Sequence, residues 1–407
     1  MRRKAMNRSG ALFILTMILF SIIAVSAQEQ ASKDTSYQEI GRRAAEIHRK
    51  ALVIDTHMDT LQRVLVRGAD LGQRSSDGQA DLPRFREGGV DAQFFAVWPD
   101  PIYAPHHAAR RTLQLIDAMY GILNKYPDRI ELARNAADVE RLVASGKLAA
   151  LIGIEGGHAI QNDLALLRMF HRLGVSYMTL THANTNDWAD SSTDTPRWGG
   201  LNDFGRQVVR EMNRIGMIVD VSHVSEETVR DVLEVTTMPV IASHSSCFAL
   251  SDHPRNLSDD ALRAISRNGG VVGINFFSGF LDQTYHDRLK AMRKDVLGEI
   301  NKPQQTPAEK LDELAARRLS LVDDPGVPPP TFARILDHID HAVKVAGINH
   351  VGIGSDLDVI PTPEGMKDVT DFPKITRGLL ERGYKEEEIR KILGGNFLRV
   401  LKQVTGR

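Results

Sequence analysis

This sequence of 407 residues contains one cysteine and few aromatic residues, and its positive and negative charges are nearly balanced. Its single cysteine, Cys247, cannot form an internal disulfide, so the fold has to depend on its hydrophobic core. Nothing near Cys247 resembles a catalytic base, and we expect a small buried residue there rather than a nucleophile. Lys and Arg total 51 against 52 Asp and Glu, which leaves no net field to attract nucleic acid or an anionic membrane surface. The expected partner is therefore a small molecule, and no nucleic acid is expected.

Apolar runs long enough to cross a membrane are lacking as well, and the nearest approach is the run at residues 11–25. A basic segment precedes this run, with Arg2, Arg3, Lys4 and Arg8, and the small residues Ser26 and Ala27 follow it. This pattern predicts a secretory signal peptide over residues 1–27 and a polar linker over residues 28–37. A retained membrane anchor is the alternative, but no stable anchor is expected once the signal is cleaved. Both alternatives favour export, to the periplasm or the extracellular space.

The remainder, residues 38–407, alternates short β-branched runs with longer amphipathic stretches, which is typical of βα units around a parallel sheet. We predict eight strands, at residues 51–59, 90–98, 148–156, 176–182, 216–223, 239–245, 270–277 and 350–358. Apolar residues at helical spacing predict helices at residues 107–124, 136–145, 161–173, 204–215, 225–234 and 331–345. Eight strands separated by helices predict a single α/β domain, a closed (β/α)8 TIM-like barrel. An open, doubly wound sheet is the alternative fold.

One long segment, residues 281–330, departs from this alternation because it is highly charged and ends in several prolines. We predict a helical insertion near the mouth of the barrel. A lid over the mouth and a solvated decoration are both compatible with its composition.

Histidine and acidic residues stand at the carboxyl ends of the predicted strands, where barrels of this kind carry their working groups. His57 and Asp59 are two residues apart on the first strand, so both side chains point to the same side and can hold one cation. Glu155 ends an apolar strand, where an ionised carboxylate needs a strong cationic partner such as a pair of metal ions. His223 and His244 end two consecutive strands. These five residues together predict a centre for two divalent ions.

The donor set also indicates the metal and the reaction. Nitrogen and oxygen ligands without thiolate favour zinc, with cobalt or manganese as substitutes. Two divalent ions carry four positive charges, and Asp59, Glu155 and one bridging hydroxide remove three of them. A centre that keeps about one positive charge activates bound water and polarises a carbonyl group, so hydrolysis through hydroxide attack is the predicted chemistry.

These residues lie within a series of motifs that closely resembles the membrane (renal) dipeptidase family of metallopeptidases, over nearly the whole mature chain. The resembling segments are Ile54-Asp-Thr-His-Met-Asp59, Ile152-Gly-Ile-Glu-Gly-Gly-His158, Leu180-Thr-His182, Asp220-Val-Ser-His-Val-Ser225, Ser243-His-Ser-Ser246, Pro254-Arg-Asn256, Gly354-Ser-Asp356 and Gly395-Asn396. The resemblance implies that His57, Asp59 and Glu155 bind one zinc ion. It implies that Glu155, His223 and His244 bind the other, with water between the two ions.

The resemblance further implies catalytic and substrate-binding roles for three residues outside the ligand set. His182, at the end of the fourth predicted strand, would contact the scissile carbonyl oxygen. Arg255, in the loop after the sixth strand, would bind the terminal carboxylate of the substrate. Asp356, at the end of the eighth strand, would receive the free amine and carry the proton, and its neighbour Asp358 is the less favoured choice. The implied activity is hydrolysis of dipeptides that carry a free amine and a free carboxylate, with tolerance of D-residues at the C-terminal position.

Two departures from the family pattern are visible. Met58 and Thr60 replace the Asn and Leu that flank the metal-binding Asp in many animal relatives, which affects the side pocket rather than the metal centre. The anchor and disulfide cysteines of the animal members are absent, so we expect a soluble exported relative. Five further histidines end no predicted strand and are expected to be structural or solvent-facing: His106, His107, His158, His338 and His341.

Two other functions are weighed against a dipeptidase. A different binuclear amidohydrolase, acting on a cyclic amide, a lactone or an ester, would be favoured by a lysine at a strand end that carbamylation converts into a ligand. No predicted strand ends in lysine. A metal-binding or ligand-binding protein that has lost turnover would lack a ligand or the proton carrier, and all of these are present. The sequence leaves open whether the chain forms a homodimer.

Overall fold

The structure is a computed structural model that describes residues 37–300, 311–313, 327–358 and 360–406, with the backbone alone over residues 292–300. The predicted signal peptide at residues 1–27 and almost all of the predicted linker lie outside the described residues. Residues 37–50 already form a helix, so the described domain begins at the end of the predicted linker. No helix in the described ranges combines the length and the apolar character that a membrane span requires.

Parallel strands form the centre of the molecule. The strands are β1 (Ile54–Met58), β2 (Ala92–Val97), β3 (Ile130–Leu132), β4 (Leu148–Glu155), β5 (Val175–Thr179), β6 (Ile218–Asp220), β7 (Ile241–Ser245), β8 (Val271–Ile274) and β9 (Val351–Ile353). They are hydrogen-bonded in the order β2-β1-β9-β8-β7-β6-β5-β4-β3, and β2 also pairs with β4. That last pairing, from Ala92–Ala149 to Val97–Ile154, closes eight strands into a ring. The predicted (β/α)8 barrel is confirmed.

The short strand β3 was not predicted. It pairs with the first residues of β4, whereas β5 pairs with the later residues of β4, so β3 extends the sheet beside the ring. Unlike the equally short β6 and β9, its sequence Ile130-Glu-Leu132 does not belong to a longer apolar run, so no pattern predicts it.

Four predicted strands end at least three residues too late. The strands predicted to end at residues 182, 223, 277 and 358 end at Thr179, Asp220, Ile274 and Ile353, which are the last residues of β5, β6, β8 and β9. His182, His223 and Asp356 each follow a strand end by three residues. The chain turns at these points, and His223 (φ 68°) and Asp356 (φ 61°) adopt the left-handed conformation that no strand contains. These three residues therefore lie on loops just beyond the strand ends.

Helices cover the outside of the ring. The described α-helices of at least five residues are residues 37–50, Thr60–Arg67, Leu82–Glu87, Ala108–Lys125, Ala136–Ala144, Leu164–Arg172, Asp203–Ile215, Glu226–Val235, Asp259–Arg267, Gln283–Ile300, Ala333–Ala346, Phe372–Glu381, Glu386–Arg390 and Asn396–Thr405, and a π-helical turn, Lys391–Gly395, joins the last two. Each of the six predicted helices overlaps one of these. All residues of β2 and β4 are buried, because helices and the barrel interior cover both faces of the strands.

The C-terminal segment closes the amino end of the barrel. Phe397 and Leu401 of the last helix belong to the same core cluster as Ile54. Gly394 lies directly against the backbone of Leu52 and Ile54 at the start of β1, so close that a Cβ atom there would contact the Leu52 carbonyl oxygen. The C-terminal segment thus fills the amino end of the barrel, and the carboxyl ends of the strands remain available to form a site.

Of the described parts of the predicted insertion at residues 281–330, residues 283–300 and 311–313 are helical, whereas residues 327–330 are not. Tyr285 and Leu289 of the helix Gln283–Ile300 pack together with Val327. Leu311 packs on Tyr103, in the loop after β2. The insertion thus contacts loops at the carboxyl end of the barrel, while its residues 301–310 and 314–326 lie outside the described ranges.

Candidate active site

The five predicted metal ligands meet at the carboxyl end of the barrel. His57 lies in β1, Asp59 follows it directly, Glu155 ends β4, His223 follows β6 and His244 lies in β7. Each is at most 9% exposed. Residues from four separated parts of the sequence therefore share one buried location.

Glu155 lies at the centre of this group. Its Oε2 atom is 3.4 Å from Nε2 of His57, which in turn is 3.9 Å from Oδ1 of Asp59. Its Oε1 atom is 2.8 Å from Nε2 of His223 and 3.2 Å from Nε2 of His244. The two carboxylate oxygens thus face two different sets of donors, which is the arrangement expected of a carboxylate shared by two ions.

The chemistry and spacing of these donors fit divalent metal. Nε2 of His57 and Oδ1 of Asp59 are buried and have no hydrogen-bond partner among the described residues, so a bound cation would satisfy both. Two ligands on a tetrahedral zinc ion are about 3.3 Å apart, and the 3.2–3.9 Å separations of Glu155 and Asp59 oxygens from the His57 and His244 nitrogens lie near that value. The donors are imidazole and carboxylate groups without a thiolate.

Electrostatics point in the same direction. Burial and the neighbouring Glu155 carboxylate raise the pKa of Asp59 well above its usual range. Burial also disfavours the charged form of Glu155, but the surrounding His57 and His182 imidazoles outweigh it and hold the pKa of Glu155 well below its usual range. Burial lowers the pKa of His244, which leaves a neutral imidazole suited to metal binding. A divalent cation between the two carboxylates would offset their mutual repulsion.

Two hydroxyl groups orient the histidines of the site. Nδ1 of His57 is 2.8 Å from the hydroxyl oxygen of Tyr177, and that hydroxyl donates to the carbonyl oxygen of Thr56 at 3.1 Å. Nδ1 of His244 is 2.8 Å from Oγ of Ser243, which donates to Asp220 at 2.6 Å. Because each hydroxyl hydrogen is already donated, each imidazole donates its own Nδ1–H. Nε2 of each ring is then the atom that would bind a metal ion.

A Tyr177→Phe substitution tests this orientation. The phenyl ring keeps the stacking of Tyr177 on Phe94, whose ring centroids are 5.3 Å apart, but removes the acceptor for Nδ1–H of His57. We expect the affinity for divalent metal to fall roughly ten- to a hundredfold. Competition between the metal-free protein and a chromogenic chelator measures it. Tyr120→Phe, which removes a hydroxyl bonded to Leu173 O, is the matched control. An unchanged metal affinity of Tyr177→Phe would contradict the assignment.

The three residues expected to contact substrate lie around the metal ligands. Nε2 of His182 is 3.7 Å from Oε1 of Glu155, and its ring lies against Trp98 with 5.0 Å between centroids. Oδ1 of Asp356 is 3.8 Å from Nε2 of His57, and its other oxygen accepts from Nδ2 of Asn275 at 2.8 Å. Asp356 thus lies on the His57 side of Glu155.

Arg255 lies beside His244, whose ring stacks on that of His57 with 3.7 Å between centroids. Its Nη2 donates to the carbonyl oxygen of His244 at 3.0 Å, and Nη1 donates to Oγ of Ser245 at 3.4 Å. The side chain is buried, yet no carboxylate of the described residues lies within 4 Å of it. Burial lowers the pKa of Arg255 only to about 10, so the guanidinium stays charged at neutral pH. A buried cation without a counter-ion is a receptor for an anion.

The sequence analysis did not assign a role to several residues that support the site residues. Asn275 directly follows β8, so the rule that strand ends carry the working groups should have included it. Tyr177, Ser243 and Asp220 lie within or at the end of strands that read as apolar core, and only the closed barrel brings their polar atoms to the site. Trp98 falls at the end of a predicted strand but carries no group that signals chemistry.

The residues to which we assigned no catalytic role make structural contacts. Asp358 forms a buried ion pair with Arg63 at 3.0 Å. His158 is buried, and its Nε2 is 2.6 Å from the carbonyl oxygen of Pro99. His338 accepts from the backbone N–H of Cys247 at 3.0 Å. Cys247 is buried as expected, and burial raises the pKa of its thiol to about 12, which makes it inert as a nucleophile.

Comparison with known proteins agrees with this geometry. Residues 41–406 match the model of the family described as membrane dipeptidase, peptidase family M19. The dipeptidase tcpJ of Claviceps purpurea (strain 20.1) is 39% identical over 337 residues, which are 80% of this chain and 69% of that protein. The crystal structure of the probable dipeptidase PvdM from Pseudomonas aeruginosa is similar with a TM-score of 0.78 and 28% identity, over 91% of this chain and 99% of that one.

A further solved structure carries a ligand. It is a metallo peptidase from Rhodobacter sphaeroides, liganded with a phosphinate mimic of the dipeptide L-Ala-D-Ala. Its TM-score is 0.72 at 26% identity, over 87% of this chain and 99% of that one. Family match, fold and the buried cluster of histidine and acidic residues that could hold metal agree, and the chain therefore belongs to the membrane dipeptidase family of metallopeptidases.

Proposed function

We propose that the chain hydrolyses dipeptides with a free amine and a free carboxylate, using two zinc ions held by His57, Asp59, Glu155, His223 and His244. The observation that carries this proposal is the buried guanidinium of Arg255, which has no carboxylate partner among the described residues and lies next to a metal ligand. A terminal carboxylate of the substrate would neutralise it. The signal-like segment at residues 1–27 supports export of the enzyme to the periplasm or the extracellular space.

Each remaining residue then has a defined task. The ions, when bound, supply an activated water and polarise the scissile carbonyl. His182 donates a hydrogen bond from its imidazole to the carbonyl oxygen as negative charge develops there. Asp356 receives the substrate amine and transfers the proton of the attacking water to the leaving nitrogen. The C–N bond breaks as the new C–O bond is completed, and the products are two amino acids.

The short separation of Asp356 and Arg255 limits the substrate length, since Asn275 contacts both Asp356 and the His244 carbonyl oxygen to which Arg255 donates. Only a short peptide places an amine at one group and a carboxylate at the other while its peptide bond lies beside Glu155. A D-residue at the C-terminal position is included in the proposal, supported by the dipeptide mimic in the Rhodobacter sphaeroides structure. Tripeptides and dipeptides with a blocked terminus are expected to be poor substrates, because they leave a buried charge unpaired.

Arg255→Met tests the carboxylate receptor. We expect kcat/KM for a free dipeptide to fall roughly a hundredfold, because a buried charge pair is lost. The penalty for amidating the C-terminus, large in the unmodified enzyme, should shrink to a few-fold in the variant. Measuring kcat/KM for one dipeptide and its C-terminal amide in both proteins provides the comparison, with Arg263→Met on an exposed helix as control. Equal rates for the two substrates in the unmodified enzyme would favour the broader amidohydrolase alternative.

A further inference from the structure

A cavity of about 300 Å³ opens beside the guanidinium of Arg255. Its wall begins at His223 and Arg255 and continues to the first turn of the helix Glu226–Val235 and to the loop that carries Asp194. Its volume is at the lower end of the range for ligand pockets, which is about 300–1,000 Å³. Since His223 is one of the proposed metal ligands, the cavity is continuous with the site described above.

The position of the cavity indicates which part of the substrate it binds, and this inference rests on the proposed function. The α-carbon of a C-terminal residue carries both the carboxylate and the side chain. If the carboxylate pairs with Arg255, the side chain starts two bonds away and lies within reach of the cavity. Nε of Arg255 points to a ligand independently, because it is buried and has no hydrogen-bond partner among the described residues.

The charge of the cavity lining is predominantly negative. Three carboxylates, those of Asp194, Glu226 and Glu227, line it together with a single cation, Arg255. Glu227 is paired with Arg230 at 2.7 Å. Glu226 accepts from the hydroxyl of Ser258 at 3.1 Å. Asp194 accepts from the backbone N–H groups of Thr185 and Thr195 at 2.9 and 2.7 Å, and no ion pair joins it or Glu226 to a cationic side chain of the described residues. Once a substrate carboxylate neutralises Arg255, the cavity carries a net negative charge.

Apolar groups form the rest of the wall. The ring of Phe248 forms part of this wall and is 42% exposed, whereas most large hydrophobic side chains of the described residues are buried. Val224 and Leu257 lie on the same wall. A side chain with an aliphatic stem and a cationic end matches this combination, because the stem covers the apolar wall while the charge reaches the carboxylates. An aromatic face also attracts cations.

We propose that this cavity receives the side chain of the C-terminal residue and selects lysine or arginine there. Asp194 and Glu226 are the specificity-determining residues, and Phe248 supports the aliphatic stem. An acidic C-terminal residue would be repelled by the same groups.

The test compares kcat/KM for Ala-Lys, Ala-norleucine and Ala-Glu, each with an L- or a D-residue at the C-terminus. Norleucine has the stem of lysine without its charge. We expect Ala-Lys to exceed Ala-norleucine about five- to tenfold at low salt, and Ala-Glu to be the poorest substrate. The preference for lysine should decrease as salt screens the exposed carboxylates.

Variants locate the effect in the cavity. The double substitution Asp194→Asn and Glu226→Gln is expected to bring the Ala-Lys to Ala-norleucine ratio of kcat/KM close to one. Glu234→Gln, on the same helix with a side chain that is 70% exposed, is the matched control and should retain the preference. A preference for lysine that survives the double substitution would overturn the assignment of the cavity.

The outcomes separate this inference from the proposed function. Hydrolysis of all three dipeptides at equal rates, or fastest for Ala-Glu, would overturn the selection for cationic side chains and leave the dipeptidase proposal standing. A metal-loaded enzyme that hydrolyses no dipeptide would overturn the proposed function itself.

Discussion

Replacement of Glu155 by glutamine is expected to lower kcat/KM for dipeptides by more than about a thousandfold. Both oxygens of Glu155 face nitrogens of proposed metal ligands, Oε2 towards His57 at 3.4 Å and Oε1 towards His223 at 2.8 Å. Glutamine keeps one oxygen but presents an amide NH2 in place of the other. It also removes a negative charge from a centre that would hold four positive ones. We therefore expect the variant to bind fewer than two ions per chain.

Elemental analysis and kcat/KM, measured on the same preparation, check this expectation. Glu46→Gln is a matched control, because Glu46 lies on the helix at residues 37–50 with a side chain that is 56% exposed. A Glu155→Gln protein that keeps both ions and normal turnover would show that the carboxylate does not bridge them.

Removal of metal is expected to abolish hydrolysis completely. The purified protein should carry close to two divalent ions per chain, and chelation should eliminate activity because the proposed hydrolysis depends on the ions to activate water. Zinc or cobalt should restore the activity. Magnesium should not, since it prefers oxygen ligands and three of the five proposed ligands are histidines.

Metal removal should also lower the thermal stability of the protein. Ions that bind only the folded chain stabilise it by about 4 kcal/mol when their concentration is a thousand times the dissociation constant. Calorimetry and activity can be followed in parallel as zinc is titrated into the metal-free protein. Full activity in a preparation that elemental analysis shows to be metal-free would refute a metal-dependent mechanism.

Much of the barrel was predictable because parallel strands buried on both faces are continuous apolar runs. Strand β4 is such a run, and its end at Glu155 was visible because a carboxylate interrupts the apolar pattern. Strand ends were predicted less well wherever the chain turns through the left-handed conformation, as at His223 and Asp356. Both residues are polar and lie directly beyond the strand in the sequence. Nothing in the local sequence therefore indicates where the strand ends and the turn begins.

The sequence by itself determined the fold class and the residue types of the metal centre. Periodicity decides strand and helix locally, and strand ends in a closed parallel barrel have to share one end. The pairing of partners was decided only by the tertiary structure. Which oxygen of Glu155 faces which histidine, which hydroxyl orients His57, and which carboxylates line the cavity beside Arg255 all depend on contacts between residues far apart in the chain. Such contacts follow from strand register and loop packing, and neither is encoded in the spacing of residues along the sequence.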